Sequence, residues 1–187
     1  MPRRTPLCKL LQSHRPANAE ESAFREDMLA LISLDPDPFS RHEFFPGHFT
    51  ASAFLLSPEK DSLLLIFHSK LQRWLQPGGH IDPSDPTPLA GALRELSEET
   101  GVQQLTPFTS GLFDVDIHEI PPRKSEPGHK HFDLRFAFVA QTKQVQAASD
   151  ALDARWVKLH EINALESDAS VMRAVSKLIS MTKDKTA

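Results

Sequence analysis

Residues Gly78 to Val102, GGHIDPSDPTPLAGALRELSEETGV, join a glycine pair to a helical segment that ends on a glycine, and no other stretch constrains the fold as tightly. Leu89, Ala90, Ala92, Leu93 and Leu96 recur at helical spacing, and Gly101 after Thr100 is a helix stop. The helix is therefore expected from Thr87 or Pro88 to Thr100. On it Glu95, Glu98 and Glu99 stand at i, i+3 and i+4, which sets neighbouring Cβ atoms about 5–6 Å apart. Three anions this close repel. They are tolerated when solvated, when paired with cations, or when holding a hard divalent ion such as Mg2+, which takes carboxylate oxygens and keeps waters for substrate phosphates. Arg94 is placed to steady one carboxylate, and Pro77-Gly78-Gly79 brings bare backbone beside the helix, where a carbonyl offers a further ligand. A solvated acidic face is the plain alternative for the three glutamates alone.

With its glycines included, the segment resembles the Nudix box, G-x5-E-x7-R-E-U-x-E-E-x-G-U with U aliphatic. Gly79, Arg94, Glu95, Leu96, Glu98, Glu99, Gly101 and Val102 fall on its fixed positions. Two departures lie in the loop before the helix: Asp85 stands where the first Glu is expected, and eight residues rather than seven separate it from Arg94. The resemblance implies an α/β fold, an α/β/α sandwich with a mixed β-sheet. It also implies Mg2+, with Mn2+ as a substitute, held by Glu95, Glu98, Glu99 and the Gly79 carbonyl. Glu98, Glu95 and Arg94 are the expected catalytic residues, and Arg73, Gly78, His80, Arg135 and Lys130 the expected substrate contacts. The reaction implied is attack by water on a phosphoanhydride of a nucleoside diphosphate linked to another moiety X. Which Glu acts as base is left open, with Glu119 and Glu126 as loop candidates. Two rival functions are a non-catalytic nucleotide-binding regulatory domain, which usually loses box carboxylates, and a prenyl-diphosphate isomerase, which needs a placed thiol or acid.

Composition adds limits. A chain of 187 residues that is 40% hydrophobic suffices for one compact domain with a substantial core. The single Cys8 rules out an intramolecular disulfide and fits a reducing compartment, and no apolar run reaches membrane-spanning length. Arg3, Arg4, Lys9 and Arg15 precede no extended apolar region, so a secretory signal is not expected and a cytoplasmic location is. A formal net charge of −4 argues against nucleic acid as a partner while allowing a local basic pocket for a small phosphate compound. A homodimer is left open.

Prolines punctuate the chain. Residues 1–46 are expected to form an N-terminal extension with one amphipathic helix, Glu20 to Leu34, whose apolar face is Phe24, Met28, Leu31 and Ile32. Residues 47–187 form the main domain. Strands are expected at His48 to Leu56, Ser62 to His68, Arg73 to Gln76, Gly111 to Ile120, His131 to Ala140 and Ala154 to Val157, and helices at His160 to Leu165 and Ala169 to Met181. The run Leu63-Leu64-Leu65-Ile66-Phe67 marks a central strand.

Other residues invite chemistry that their surroundings do not favour. Nine histidines suggest zinc, but without Cys partners or H-E-x-x-H spacing His129-Lys130-His131 reads as an exposed loop. Trp74 and Trp156 read as core before base-binding cleft. Ser84 and Ser97 lack a nearby His-Asp arrangement, and Cys8 is expected in a mobile terminus, so covalent catalysis is disfavoured. Strands 111–120 and 131–140 each alternate an apolar with a polar face. Opposing Asp116 to Arg135 and His118 to Asp133 gives favourable pairs, whereas a two-residue slip opposes Asp116 to Asp133. The first register is therefore expected. The connection Pro121 to Lys130, with Arg123, Lys124, His129 and Lys130, is expected to overhang the metal site and help choose X.

Overall fold

All ten residues of β1 (Gly47–Leu56) are buried, which requires cover on both faces of the strand. β2 (Ser62–His68) pairs antiparallel with it at Leu56↔Leu63 across a turn in which Lys60 takes the left-handed conformation. These positions come from a computed structural model that describes residues 3–34, 36–123, 126–149, 151–165 and 167–184. The chain continues through β3 (Arg73–Leu75), β4 (Gly78–His80), α3 (Pro88–Thr100), β5 (Leu105–Pro107), β6 (Asp114–Ile120), β7 (His129–Ala140) and β8 (Ala151–Lys158). A short 3-10 helix (Ile162–Ala164) and α4 (Ala169–Asp184) complete it, after α1 (Arg4–Ser13) and α2 (Ala19–Ile32) at the start. The fold is α/β, a mixed sheet with helices, and its strand order is β3-β2-β1-β7-β5 with β4 on β1, β6 on β7 and β8 on β2.

The chain divides into two compact units. The first comprises Met1–Ser52, Gly78–Ala92 and Thr109–Phe136. Its N-terminal part carries two helices, not one. Leu7 and Leu11 bury one side of α1, so Cys8, expected in a mobile terminus, lies in a helix and is half-buried. Asn18 caps α2 by accepting from the Glu21 amide, and the buried Glu21 carboxylate accepts from the Ala17 amide at 2.6 Å and meets His14 Nε2 at 2.7 Å. The Arg4 guanidinium donates to the carbonyls of Ile32, Leu34 and Pro36, satisfying orphan acceptors at the end of α2.

In the same unit the glycine loop forms a strand. Gly78–His80 pairs with Thr50–Ser52, and at Gly78 the backbone has φ +157°, where a Cβ would lie 2.4 Å from Ser52 Cβ. Gly78→Ala should therefore destabilise the protein by about 1–3 kcal/mol, since backbone and side chain must both shift. A urea midpoint equal to wild type would show that the close approach is not rigid.

The hairpin of β6 and β7 corrects the expected register. Asp116 lies opposite Asp133, Asp114 opposite Arg135 and His118 opposite His131. The slip is tolerated because one buried guanidinium serves three carboxylates: Arg135 Nη1 to Asp114 at 3.1 Å, Nη2 to Asp116 at 3.2 Å and Nε to Asp133 at 2.9 Å. Thr50 and Ser52 hydroxyls also donate to Asp133. The polar face is thus closed by β1 hydroxyls and an internal ion network instead of facing substrate.

The second unit comprises Ala53–Pro77, Leu93–Phe108 and Ala137–Ala187. β2 lies between β3 and β8, with Leu64 opposite Trp156 and Phe67 opposite Trp74. Trp74 is buried, as read from sequence, against Phe67 and under the Arg155 guanidinium, 4.1 Å from the ring centroid. Asp168 accepts from the Val171 amide to start α4, which buries Val171, Ala174, Val175 and Leu178. Of the expected helix His160 to Leu165 only the 3-10 turn forms, and β5 arises where the sequence pattern marks no strand.

Candidate active site

The helix α3 begins where its caps dictate. Thr87 Oγ1 accepts from the Ala90 amide at 3.1 Å, and Pro88 occupies the first helical position, where its missing N–H costs nothing. Gly101, with φ +71°, ends it in the left-handed region. Ala92 and Leu96 are fully buried, while Leu89 is exposed, so the apolar stripe is narrower than its sequence pattern.

The three carboxylates grade from solvent to interior. The Glu98 side chain is 51% exposed, Glu95 is partly covered, and Glu99 is buried at 4%. Arg94 Nη1 donates to both Glu95 Oε1 at 2.9 Å and Glu98 Oε2 at 3.1 Å. One cation thus steadies two of the three anions. At the helix end the Ala148 and Gln146 amides donate to the carbonyls of Glu99 and Thr100. An oxygen-only donor set of three carboxylates on one helical face fits a hard divalent ion.

Asp85, at the irregular position of the preceding loop, is 6% exposed. Its Oδ2 accepts from the Asp82 amide at 2.8 Å, and its own amide donates to the Asp82 carbonyl. A Cβ at Gly91 would meet that Oδ2 at 3.1 Å, so the carboxylate lies against the first turn of the helix. Asp85 braces the loop. Asp85→Asn should lower kcat much less than Glu98→Gln. An equal loss would place Asp85 among the metal ligands.

Of the expected substrate contacts, Arg73 on β3 and Lys130 on β7 are exposed, and Gly78 and His80 on β4 are half-buried. Arg135 is 1% exposed with its donors committed to three aspartates, so it leaves the substrate-facing set. Burial opposes its charge, but Asp116, Asp133 and Asp114 offset this and raise its pKa above the ordinary value. Of the base candidates, Glu119 is exposed opposite Lys130, and Glu126 bridges to Arg123. Lys124 lies outside the described residues.

The reading of His129-Lys130-His131 as an exposed loop is also corrected. These residues begin β7, and His129 is buried. His131 faces His118 across the ladder, and His48, His80 and His129 surround it at 4.9, 5.3 and 5.2 Å between ring centroids. The i, i+2 spacing of His129 and His131 on a strand was the one sequence signal for this cluster. Burial first, then His118, His48, His80 and His129, lowers the His131 pKa to about 2; burial chiefly lowers that of His48. An unfolded His titrates near 6.5, so below that pH the unfolded chain binds more protons than the folded one. Stability is fully present above about pH 6.5 and falls as pH drops below it. Melting of the chelator-treated protein between about pH 7 and 5 should show this, with a shallower slope in His131→Gln. A pH-independent wild-type melting temperature would contradict it.

A family model described as NUDIX domain matches residues 46–178. Comparison with curated protein sequences gives no match. Among solved structures, a NUDIX family hydrolase from Clostridium perfringens is similar, at 23% identity and TM-score 0.55, over 76% of this chain and 99% of that one. An Ap4A hydrolase of C. elegans is similar at 18% identity and TM-score 0.54, over 73% of this chain and 98% of that one. The NUDIX domain of Shewanella oneidensis NrtR, complexed with ADP ribose, is similar at 18% identity and TM-score 0.54, over 87% and 98%. At these identities the likeness is one of fold. The family match spans most of the chain and contains the Arg94–Val102 motif with its three carboxylates, and on that ground the chain belongs to the Nudix hydrolase family.

Proposed function

We propose that this protein is a divalent-metal-dependent pyrophosphohydrolase that cleaves a nucleoside diphosphate linked to another moiety X by attack of water on a phosphoanhydride. The observation that carries the reading is the Glu95, Glu98 and Glu99 face of α3, intact and steadied by Arg94. These carboxylates would hold the ion, and the family resemblance adds the Gly79 carbonyl. When bound, Mg2+, or Mn2+ in its place, neutralises phosphate charge and acidifies or positions water. The chain's own part is positioning and electrostatics: Arg94 fixes two carboxylates before any ion arrives, which lowers the ordering cost of binding it. Arg73, Gly78, His80 and Lys130 are the proposed substrate contacts, and the connection at 121–128 the proposed selector of X. No described helix is long and apolar enough to cross a membrane, and the single cysteine supports a cytoplasmic setting.

Retention of the three helix glutamates of the box, Glu95, Glu98 and Glu99, argues against a purely regulatory domain, and the placement of the only cysteine in α1 gives no support to a thiol-dependent isomerase. A panel of Ap4A, ADP ribose, nucleotide sugars and nucleoside triphosphates, assayed for phosphate-containing products with and without Mg2+, tests the proposal. Mg2+-dependent release from at least one diphosphate-linked compound is expected. Ligand binding without turnover across the panel would favour the regulatory reading.

A further inference from the structure

Five imidazoles gather at one end of four strands: His48 on β1, His80 on β4, His118 on β6, and His129 and His131 on β7. His48, His80 and His131 each offer a ring nitrogen, and these three atoms lie within 4.8 Å of one another. The geometry points to a binding site for a late first-row divalent ion of the Zn2+ class, with His48, His80 and His131 as ligands.

Tautomer logic separates a cation from an anion as the occupant. His48 Nδ1 lies 2.9 Å from the Glu43 carbonyl oxygen, which can only accept, so Nδ1 carries the proton. In the neutral ring Nε2 is then a lone pair, and this atom is buried with no hydrogen-bond partner. His129 repeats the arrangement, with Nδ1 donating to the Pro127 carbonyl at 2.9 Å, and His118 Nδ1 meets Asp116 Oδ2 at 3.1 Å. Clamping one ring nitrogen on a carbonyl or carboxylate while the other faces inward is how metal-ligating histidines are oriented. An anion would need N–H groups pointing in.

The surroundings favour the same occupant. His48 is buried and His131 half-buried, surroundings that disfavour a charged ring and favour the neutral form that binds metal. On neighbouring rungs, Asp114, Asp116 and Asp133 set three carboxylates against the single Arg135 guanidinium. Imidazole suits Zn2+, Cu2+ or Ni2+, whereas Mg2+ prefers oxygen. Zn–N bonds of 2.0–2.1 Å at tetrahedral angles set ligand nitrogens roughly 3.4 Å apart, within reach of small side-chain rotations from the present spacing. His80 and His131 are only half-buried, leaving a side open for water, and His129 stands 5.1 Å from His48 between ring centroids as a further donor. An ion there would present positive charge at His80, a position proposed above to meet substrate.

The test uses the full chain, stripped with chelator and titrated with Co2+ in millimolar Mg2+, which occupies oxygen sites. Visible absorption of nitrogen-ligated Co2+ and calorimetry are read together, followed by displacement with Zn2+. One tight ion per chain is expected. His131→Ala should weaken it by at least about 100-fold, more than the loss of a group that only orients a ligand. The same is expected of His80→Ala, whose half-exposed ring makes it the safer variant if His131→Ala does not fold. Glu98→Gln should bind as wild type, which keeps this result distinguishable from the hydrolase reading. No tight Co2+ in wild type, full affinity in a folded His80→Ala, or loss in Glu98→Gln alone would each overturn the site.

Discussion

Glu98→Gln should lower kcat by roughly a hundredfold to ten-thousandfold in saturating Mg2+ while leaving the fold intact. The two effects separate because Glu98 plays little part in packing. Its side chain is 51% exposed, and its ion pair with Arg94 is an i, i+4 surface pair. Such pairs contribute about 0.3–0.5 kcal/mol, too little to move an unfolding midpoint far. A carboxylate lost from a metal shell, by contrast, acts on the transition state directly. Gln keeps the shape and one oxygen, so the change tests charge. Wild-type turnover in this variant would sink the assignment of the glutamate face.

Arg135→Met should show the opposite pattern, a large loss of stability. The guanidinium is buried and donates to Asp114, Asp116 and Asp133. Removing one partner of a buried ion network typically costs about 3–5 kcal/mol, because the remaining charges stay buried and unpaired. Set against a total stability of about 5–15 kcal/mol, that loss leaves the variant near its folding threshold. Arg135→Lys should fall between, since a single ammonium cannot reproduce the fork toward three carboxylates. Urea unfolding measures both. A near-wild-type midpoint for Arg135→Met would mean that the three aspartates are neutralised by something other than Arg135.

The register of that hairpin shows where sequence reasoning stops. Cross-strand rules weigh residues two at a time, and by that measure Asp116 opposite Asp133 is unfavourable. A guanidinium reaching diagonally to three carboxylates is a many-body solution that pair rules do not contain, and Thr50 and Ser52, whose hydroxyls help, come from a strand remote in sequence. β2 was legible because the run from Leu63 to Phe67 is continuously apolar, and β1 because the turn at Ser57-Pro58-Glu59-Lys60-Asp61 separates it from β2. The box helix was legible because its cap, its proline and its terminal glycine agree with its stripe. α1 was missed although Leu7, Leu10 and Leu11 stand at i, i+3 and i+4, because the run is short and the element it packs on, α2, meets it only in the fold. The histidine cluster was missed for the same kind of reason: its members lie on four strands, and only folding brings them together.

The central claim is attack by water on a phosphoanhydride, and reaction in oxygen-18 water with a turned-over member of the nucleotide panel tests it most directly. The account predicts one labelled oxygen in a phosphate-containing product, formed only with a divalent ion and at least about a hundredfold more slowly by Glu98→Gln. Product that carries no label, or a substrate rearranged without cleavage, would contradict it.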